Sequence, residues 1–384
     1  MAKWVTGGFG LYLHWPFCES KCPYCDFNSH VMGSVDQDVW RDAYLAEIAR
    51  YAEETSENLL QTIYFGGGTP SLMQPDLVAD VIAAVRKAWP TTNDLEITLE
   101  ANPGSVEVGK FQAFRSAGVN RVSLGLQALN DGALKALGRA HTKREALAAL
   151  DVARSTFDRV SFDLIYARQF QSLDEWRAEL TEALEMANDH LSLYQLTVEE
   201  GTAFHKRAAI GKLPGLPEED LGAEMYDITQ EMTDAAGLPA YEVSNHARKG
   251  SESRHNLIYW RGGDYVGIGP GAHGRLTSAN GRAATVAHKS PAKWLQSVQK
   301  SGCGESEREA LQAGDVAVEY LLMAMRTNEG VSLDRYHTIR GEALSADRIQ
   351  GLADLGLVEV VDNHLKTTPK GRPLLNGILR DLCD

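Results

Sequence analysis

The sequence predicts an α/β protein in which a partial (β/α)6 barrel is followed by a smaller C-terminal α+β domain. Up to about residue 200, short β-rich runs alternate with amphipathic stretches of helical periodicity, and beyond that point the alternation stops. Polar residues and glycines cluster where the β-rich runs end. Because crossover helices make neighbouring strands parallel, the carboxyl ends of these strands are expected to meet at one mouth, where a site would form.

Six β-rich runs predict the strands of the first half. They cover residues 11–15, 62–68, 96–103, 121–127, 159–167 and 191–198. Six strand–helix units are compatible with a doubly wound open sheet as well as with part of a barrel. Both architectures place functional residues at the carboxyl ends of the strands.

Amphipathic periodicity predicts helices between the strands. They cover residues 37–54, 75–88, 105–117, 142–156 and 172–187. Two of them are expected to begin with capping boxes, in which a Ser or Thr and a Glu three residues later satisfy each other's backbone amides. The pairs are Thr142 with Glu145 and Ser172 with Glu175.

The chain divides into three predicted regions. Residues 1–205 form the (β/α)6 core, residues 206–314 complete or link the barrel, and residues 315–384 form the C-terminal domain. The last region opens with a helix over 315–328. It continues as two helices, a hairpin turning at Asp362 and Asn363, and a final helix over 369–382. This outline is winged-helix-like.

Composition limits the classes of function. Hydrophobic residues make up 43% and charged residues 23% of the 384 residues, which is typical of a soluble globular protein. No apolar run reaches the roughly 18 residues of a membrane span, and the N-terminus lacks a signal-peptide core, so the cytoplasm is the expected location. The net charge of −14 disfavours binding to nucleic acid or to anionic membranes.

Three of the five cysteines lie in one short segment with the spacing C-x3-C-x2-C, at Cys18, Cys22 and Cys25. Clustered thiols in a reducing compartment indicate metal binding rather than a disulfide framework. Structural zinc needs four ligands, and a fourth would have to come from a distant His, Cys303 or Cys383. A [4Fe–4S] cube held by three thiolates instead leaves one iron open to a small molecule. The cluster is the favoured interpretation.

The cysteine motif and the strand ends that follow it resemble the radical S-adenosylmethionine (SAM) superfamily. The supporting motifs occur in chain order as GGGTP (66–70), LEANPG (99–104), SLGLQ (123–127), LGRAHT (137–142) and SFDLIYA (161–167). The resemblance implies a [4Fe–4S] cluster on Cys18, Cys22 and Cys25 whose open iron binds SAM. Taken one at a time, the same residues would also suit ordinary strand–helix turns, loop caps or surface charges.

The resemblance also implies the SAM contacts. The backbone of the glycine-rich motif would hold the SAM amino group, Arg139 its carboxylate, Glu100 its methionine portion, and Gln127 and Asp163 its ribose. The full set of predicted contacts is Tyr12, Tyr24, Gly67, Gly68, Thr69, Glu100, Gln127, Arg139, Asp163 and Thr197.

Within the superfamily, the chain resembles the branch of oxygen-independent coproporphyrinogen III oxidases and HemW-type haem chaperones. The oxidases carry a fourth cysteine where this chain has Phe27, and a long leader where only 17 residues precede Cys18. The element HNLIYW (255–260) matches the chaperones. The resemblance therefore implies a haem chaperone with His255 as haem contact, rather than an active oxidase. The oxidase, a radical SAM decarboxylase of coproporphyrinogen III, is the alternative.

As a haem chaperone, the chain would deliver haem to haem-requiring proteins, respiratory enzymes among them, with any peripheral membrane contact made through such a partner. Alternatives to the haem contact at His255 stay open. His255 and Asn256 could stabilise a turn, with Tyr259 and Trp260 in the core. Other haem ligands would be His246, His273, Cys303 or Cys383. The winged-helix outline could indicate DNA binding, but the acidic chain predicts no nucleic-acid partner.

Overall fold

The structure is a computed structural model that describes residues 7–104 and 108–383. Its strands are β1 (Phe9–Trp15), β2 (Phe17–Cys18), β3 (His30–Val31), β4 (Leu60–Gly67), β5 (Thr91–Ala101), β6 (Arg121–Gln127), β7 (Arg159–Tyr166), β8 (His190–Gln195), β9 (Asn245–Ala247), β10 (Asp264–Ile268), β11 (His273–Ser278), β12 (Gly281–Ala287), β13 (Glu305–Ala310), β14 (Val331–Ser332), β15 (Val358–Val361) and β16 (His364–Thr367).

The helices follow the same order along the chain. They are α1 (Gln37–Thr55), α2 (Pro75–Ala88), α3 (Phe111–Ala117), α4 (Asp131–Ala136), α5 (Lys143–Thr156), α6 (Leu173–Met186), α7 (Ala203–Ala209), α8 (Glu219–Ala235), α9 (Arg254–Trp260), α10 (Pro291–Ser301), α11 (Ala313–Ala324), α12 (Leu333–Arg340), α13 (Ala346–Asp354) and α14 (Leu375–Cys383). No helix of the described residues is long and apolar enough to cross a membrane.

One large sheet organises the chain, with the strand order β13-β12-β11-β10-β1-β4-β5-β6-β7-β8-β9 in the described residues. The six predicted strands are β1 and β4 to β8, and each is parallel to its neighbour in this series. The predicted α/β class is confirmed. Strand β10 adds a further parallel strand on the other side of β1, whereas β9 and β11 to β13 extend the sheet in antiparallel fashion.

The parallel strands carry their large apolar side chains on one face of the sheet, where the crossover helices cover them. Leu11, Leu13, Phe65, Ile97 and Leu99 are all fully buried. The alternate positions of the same strands hold hydroxyl, carboxyl and imidazole groups, so the opposite face of the sheet is polar. The apolar face therefore forms the core with the helices, and the polar face is continuous with the site at the carboxyl ends of the strands.

The predicted helices agree with α1, α2, α5 and α6 to within one residue at each end, and both capping boxes are present. The helix predicted over 105–117 corresponds to α3, which begins at Phe111. Its first three predicted residues, 105–107, lie outside the described residues, as does the start of the predicted core region, residues 1–6.

The C-terminal region has its own core and its own sheet, with the strand order β14-β16-β15. The hairpin turn is as predicted. Asp362 and Asn363 adopt positive φ angles of 48° and 62°, the conformation that a tight two-residue hairpin requires. Helix α11 ends at Ala324, four residues before the predicted end, and the final helix begins at Leu375 instead of 369. A short 3-10 turn over Arg372–Leu374 precedes it, because Pro373 favours the first turn of a helix over its interior.

Candidate functional site

The carboxyl ends of β1, β4, β5, β6 and β7 bring the predicted cluster and SAM residues together. Cys18 ends β2, which follows β1 after one residue and pairs with β3. The backbone of the GGGTP segment lies against the same strand, since the Thr69 amide donates to the Phe17 carbonyl at 2.9 Å. This hydrogen bond connects the segment after β4 with the start of the cysteine loop.

The three cysteines lie on one loop, with Cys18 buried and Cys22 and Cys25 partly exposed. The Cys25 amide donates to the Cys22 carbonyl at 3.1 Å, which closes a turn between these two positions. Thr69 Oγ1 donates to Cys18 Sγ at 3.4 Å and Arg139 Nη1 donates to Cys22 Sγ at 3.3 Å. Hydrogen bonds to sulfur stabilise thiolate ligands and tune a cluster.

The same three thiols do not form a site for a single ion. Across residues 7–104 and 108–383, no three His, Cys, Asp or Glu side chains converge on one ion position. A cube places each thiolate on a different iron, so its ligands stand farther apart than those of a mononuclear zinc site. The donor set, three thiols with hydrogen-bond donors directed at two of them, suits the cluster.

The glycine-rich segment shows a steric reason for its glycines. Gly67 has a φ of 111° and donates its amide to Glu100 Oε2 at 3.1 Å. A Cβ atom at Gly68 would lie 2.7 Å from the Phe17 carbonyl oxygen. A side chain at Gly67 would meet the His14 ring of β1, and one at Gly68 would meet the backbone of β2, so either would push the end of β4 out of place.

Arg139 connects the cysteine loop to the ends of β5 and β6. Besides Cys22, its guanidinium donates to Asn102 Oδ1 at 2.6 Å and to the Gly125 carbonyl at 3.0 Å. Its Nε is buried and has no hydrogen-bond partner among the described residues. A buried, unpaired guanidinium N–H is costly unless an acceptor completes it, and a carboxylate is the acceptor that fits best. The contact of Arg139 with the SAM carboxylate stays a prediction, and the unpaired Nε is the observation that favours it.

Two carboxyl groups share the interior of the site. Glu100 accepts hydrogen bonds from the Tyr64 hydroxyl at 2.8 Å and from the Gly67 amide, and burial, with a contribution from Asp163, raises its pKa to about 7. Asp163 accepts from Ser123 Oγ at 3.1 Å, and burial raises its pKa to about 6. Both groups can therefore change protonation close to neutral pH.

Replacing Glu100 with glutamine should stabilise the cluster-free protein at about pH 8, on the order of 1–2 kcal/mol. The raised pKa of Glu100 favours the folded state below pH 4.5, its ordinary pKa, and this contribution is lost as the pH rises through about 7. Urea unfolding at about pH 5 and pH 8 measures the difference. The exposed Glu53→Gln on α1 is the control. Equal stabilities of Glu100→Gln and the wild type at pH 8 would contradict the raised pKa.

The other predicted SAM contacts differ in their burial and in their partners. Tyr12 shares a hydrogen bond with His14 Nδ1 at 3.0 Å, and Tyr24 packs on the ring of Phe204 at 6.3 Å. Gln127 ends β6 with a φ of 71°, a conformation that side chains rarely adopt outside functional or turn positions. Thr197 is exposed beyond the end of β8 and makes no hydrogen bond within the described residues. The role of each individual contact remains a prediction.

Asn102 belongs to this site although it was not among the predicted contacts. It donates to Thr69 Oγ1 at 3.1 Å and accepts from Arg139. It therefore connects Thr69, which donates to the Cys18 sulfur, with the guanidinium group. Its place two residues after Glu100, in the strand-end motif LEANPG, was the signal that could have identified it.

His255 lies away from the cysteines, towards the amino-terminal half of the strands. Its ring is 1% exposed and shares hydrogen bonds with Thr62 Oγ1 through Nδ1 and with the Tyr259 hydroxyl through Nε2, both at 2.7 Å. It also stacks on Tyr64 with ring centroids 4.8 Å apart. Burial lowers its pKa to about 3, so the imidazole is neutral. Its role as a haem contact remains a prediction, and in this structure both ring nitrogens are engaged.

Known families and known proteins resemble this chain in sequence. Residues 12–182 match the Radical SAM superfamily, and residues 311–374 match the HemN C-terminal domain. The chain is 36% identical over 375 residues to the heme chaperone HemW of Escherichia coli (strain K12), covering 96% of each protein. It is 37% identical over 383 residues to the mitochondrial radical S-adenosyl methionine domain-containing protein 1 of Bos taurus, covering 97% of this chain and 86% of that protein.

Among solved structures, the coproporphyrinogen III oxidase HemN from Escherichia coli matches the fold with a TM-score of 0.81. The match covers 99% of this chain and 92% of that one at 23% sequence identity. At this identity the likeness establishes the fold alone.

Proposed function

The chain belongs to the HemW family of the radical SAM superfamily, and from this premise we propose that it is a haem chaperone that binds haem as cargo and delivers it to haem-requiring proteins. The observation that carries the proposal is the likeness to HemW relatives along nearly the whole chain. The HNLIYW element and Phe27, which stands where the oxidases have a fourth cysteine, support it further.

Membership of the superfamily implies a [4Fe–4S] cluster and SAM as cofactors. We propose Cys18, Cys22 and Cys25 as the cluster ligands, with Arg139 directed at the carboxylate of SAM. Held by these cysteines, the cluster would supply one-electron reducing chemistry to bound SAM. The protein's own part is to hold the loop, to direct hydrogen bonds at two of the sulfurs and to present a buried guanidinium to the ligand.

The acceptors that we propose are haem-requiring proteins, including respiratory enzymes, and we propose the cytoplasm as the location. Any contact with a membrane would then come through an acceptor. A nucleic-acid partner is not proposed, because the net charge of −14 opposes it.

A haem-transfer experiment tests the function. The anaerobically reconstituted protein is titrated with haemin and then mixed with the haem-free form of a b-type haem protein, with and without SAM. We expect stoichiometric haem binding followed by appearance of the acceptor's own spectrum. A parallel assay supplies coproporphyrinogen III, SAM and a reductant. Robust formation of protoporphyrinogen IX, or no haem binding by the wild type, would contradict the chaperone function.

A further inference from the structure

The cysteine loop leaves the sheet at β2 and returns to it at β3, and these two short strands pair with each other. The His30 amide donates to the Pro16 carbonyl at 2.7 Å, and Cys18 pairs with Val31. Both arms of the loop are therefore fixed at its base. Asn28, three residues after the last cysteine, lies on the returning arm just above this base.

The side chain of Asn28 connects the loop to a distant part of the chain. Its Nδ2 donates to the carbonyls of Pro270 and Lys289, both at 2.9 Å, which lie 242 and 261 positions further along the chain. A carbonyl oxygen can only accept, so these partners determine which end of the amide is the nitrogen. The Oδ1 atom then accepts from His30 Nε2 at 3.2 Å.

The segment that receives this amide is rich in glycine. Pro270 belongs to GIGPGAHG (267–274), which runs from the end of β10 to the start of β11. Gly271 has a φ of 75°, and a Cβ atom there would lie 2.6 Å from Asn28 Nδ2. Its amide donates to the His288 carbonyl at 3.0 Å, next to Lys289. Glycine therefore lets this turn approach the Asn28 amide closely.

The backbone of Asn28 makes a second connection, to strand β1. Its carbonyl oxygen lies 2.9 Å from Nε2 of the buried His14. Because the carbonyl only accepts, Nε2 carries the proton, and Nδ1 accepts from the Tyr12 hydroxyl at 3.0 Å. The position of Asn28 thus determines the tautomer of His14 and the direction of the hydroxyl hydrogen of Tyr12, which is one of the predicted SAM contacts.

The contacts between the two arms of the loop are weaker. The exposed Lys21 donates through Nζ to the Phe27 carbonyl at 3.4 Å and to the Ser29 carbonyl at 3.3 Å. Long hydrogen bonds from an exposed, flexible side chain constrain a loop little. The amide of Asn28 is partly buried and makes three hydrogen bonds, so it is the stronger constraint on the returning arm.

Resting on the proposed cluster ligands, we propose that Asn28 is a positioning residue of the cysteine loop. Its amide holds the arm that follows Cys25 against the turn between β10 and β11 and against the segment after β12. The thiolates are thereby kept in place before iron binds, and through His14 the same residue aligns Tyr12 with the site. Residues that orient metal ligands without binding the metal affect its retention.

Alkylation of the cluster-free protein tests this role without any cofactor. In Asn28→Ala we expect iodoacetamide to modify the buried Cys18 about tenfold faster than in the wild type, because the hydrogen bonds that keep the loop closed are lost. The exposed Cys383 is the internal reference. Asn28→Asp keeps the size of the side chain but directs a carboxylate at two carbonyl oxygens, so Cys18 should react at least as fast. The matched control is Asn376→Ala, an exposed position on α14, which should react like the wild type.

Anaerobic reconstitution gives the second measurement. For Asn28→Ala, the chelator concentration that removes half of the cluster iron should be about tenfold lower than for the wild type, the lower end of the usual range for residues that orient ligands. The electron paramagnetic resonance signal of the reduced cluster should change its g values. Asn376→Ala should match the wild type in both, and circular dichroism should be the same for all variants.

Gly271→Ala tests the partner of the amide. The added Cβ would meet Asn28 Nδ2, so this variant should also lose iron more readily. In the Asn28→Ala background the amide is absent, and the same glycine change should have a clearly smaller effect. The backbone strain of alanine at a positive φ is present in both backgrounds and cancels in the comparison. Additive effects would show that the contact does not hold the loop.

The outcomes separate this inference from the proposed function. If Asn28→Ala keeps the wild-type alkylation rate, iron retention and spectrum, Asn28 does not position the loop, while the proposed ligands and the chaperone function stand. A changed circular dichroism spectrum of Asn28→Ala would make it a residue of the overall fold and would overturn its role at the site. If the wild type forms no cluster, the proposed cofactors fail, and the alkylation rates still decide whether Asn28 holds the loop.

Discussion

Replacing Cys22 with alanine should abolish the [4Fe–4S] cluster. Two thiolates on a short loop cannot hold three corners of a cube, and the hydrogen bond from Arg139 to the Cys22 sulfur at 3.3 Å is lost as well. After anaerobic reconstitution, iron and sulfide per chain should fall to about one tenth of the wild-type value or less, and the visible charge-transfer absorption should disappear. Cys18→Ala and Cys25→Ala should behave alike.

The matched control for this loss is Cys303→Ala. Cys303 lies between α10 and β13, far along the chain from the cysteine loop, and its backbone carbonyl accepts hydrogen bonds from Ser297 and Ser301. Iron and sulfide should equal the wild-type values in this variant. A full cluster in Cys22→Ala, or loss of the cluster in Cys303→Ala, would show that the ligand set is a different one.

Replacing Arg139 with alanine should weaken SAM binding by about 10- to 100-fold, the usual range for losing a charge-assisted hydrogen bond in a buried site. The unpaired Nε is the structural reason, since it is a buried donor in need of an acceptor. Arg139→Lys should recover only part of the affinity, because an ammonium keeps the charge but not the planar fork of donors. Equilibrium dialysis with the reconstituted protein measures the dissociation constant.

Cluster content must be measured in the same samples, because Arg139 also donates to Cys22. Arg144→Ala, an exposed position on α5, is the control and should bind SAM as the wild type does. If Arg139→Ala retains a full cluster and an unchanged dissociation constant for SAM, the guanidinium does not hold the carboxylate, and the buried Nε needs another explanation.

Local patterns in the sequence predicted most of the central fold. Strands β1 and β4 to β8 are β-rich runs, and α1, α2, α5 and α6 have helical periodicity, so short-range patterns indicate each of them. The family and the α/β class that these patterns indicated are confirmed. The division of the chain into regions 1–205, 206–314 and 315–384 stays a prediction.

Strand β10 could not be predicted in the same way. It is a five-residue run of DYVGI in a glycine-rich region, and helices α7 to α9 and strand β9 separate it from β8 along the chain. Its place beside β1 depends on long-range pairing, in which Phe9 meets Asp264 and Leu13 meets Ile268. A glycine at position 267 is required there, because a Cβ atom would lie 1.9 Å from the His273 carbonyl oxygen.

The sequence by itself determined the proposed cluster ligands and their setting, because Cys18, Cys22 and Cys25 share one short loop directly after a strand, and the other motifs follow strand ends in order. Only the tertiary structure decided which histidines are accessible. His255 is buried and has Thr62 and Tyr259 as hydrogen-bond partners, whereas His364 and Trp260 line an open cleft. Burial and partners depend on how distant segments pack, and local periodicity carries no information about that.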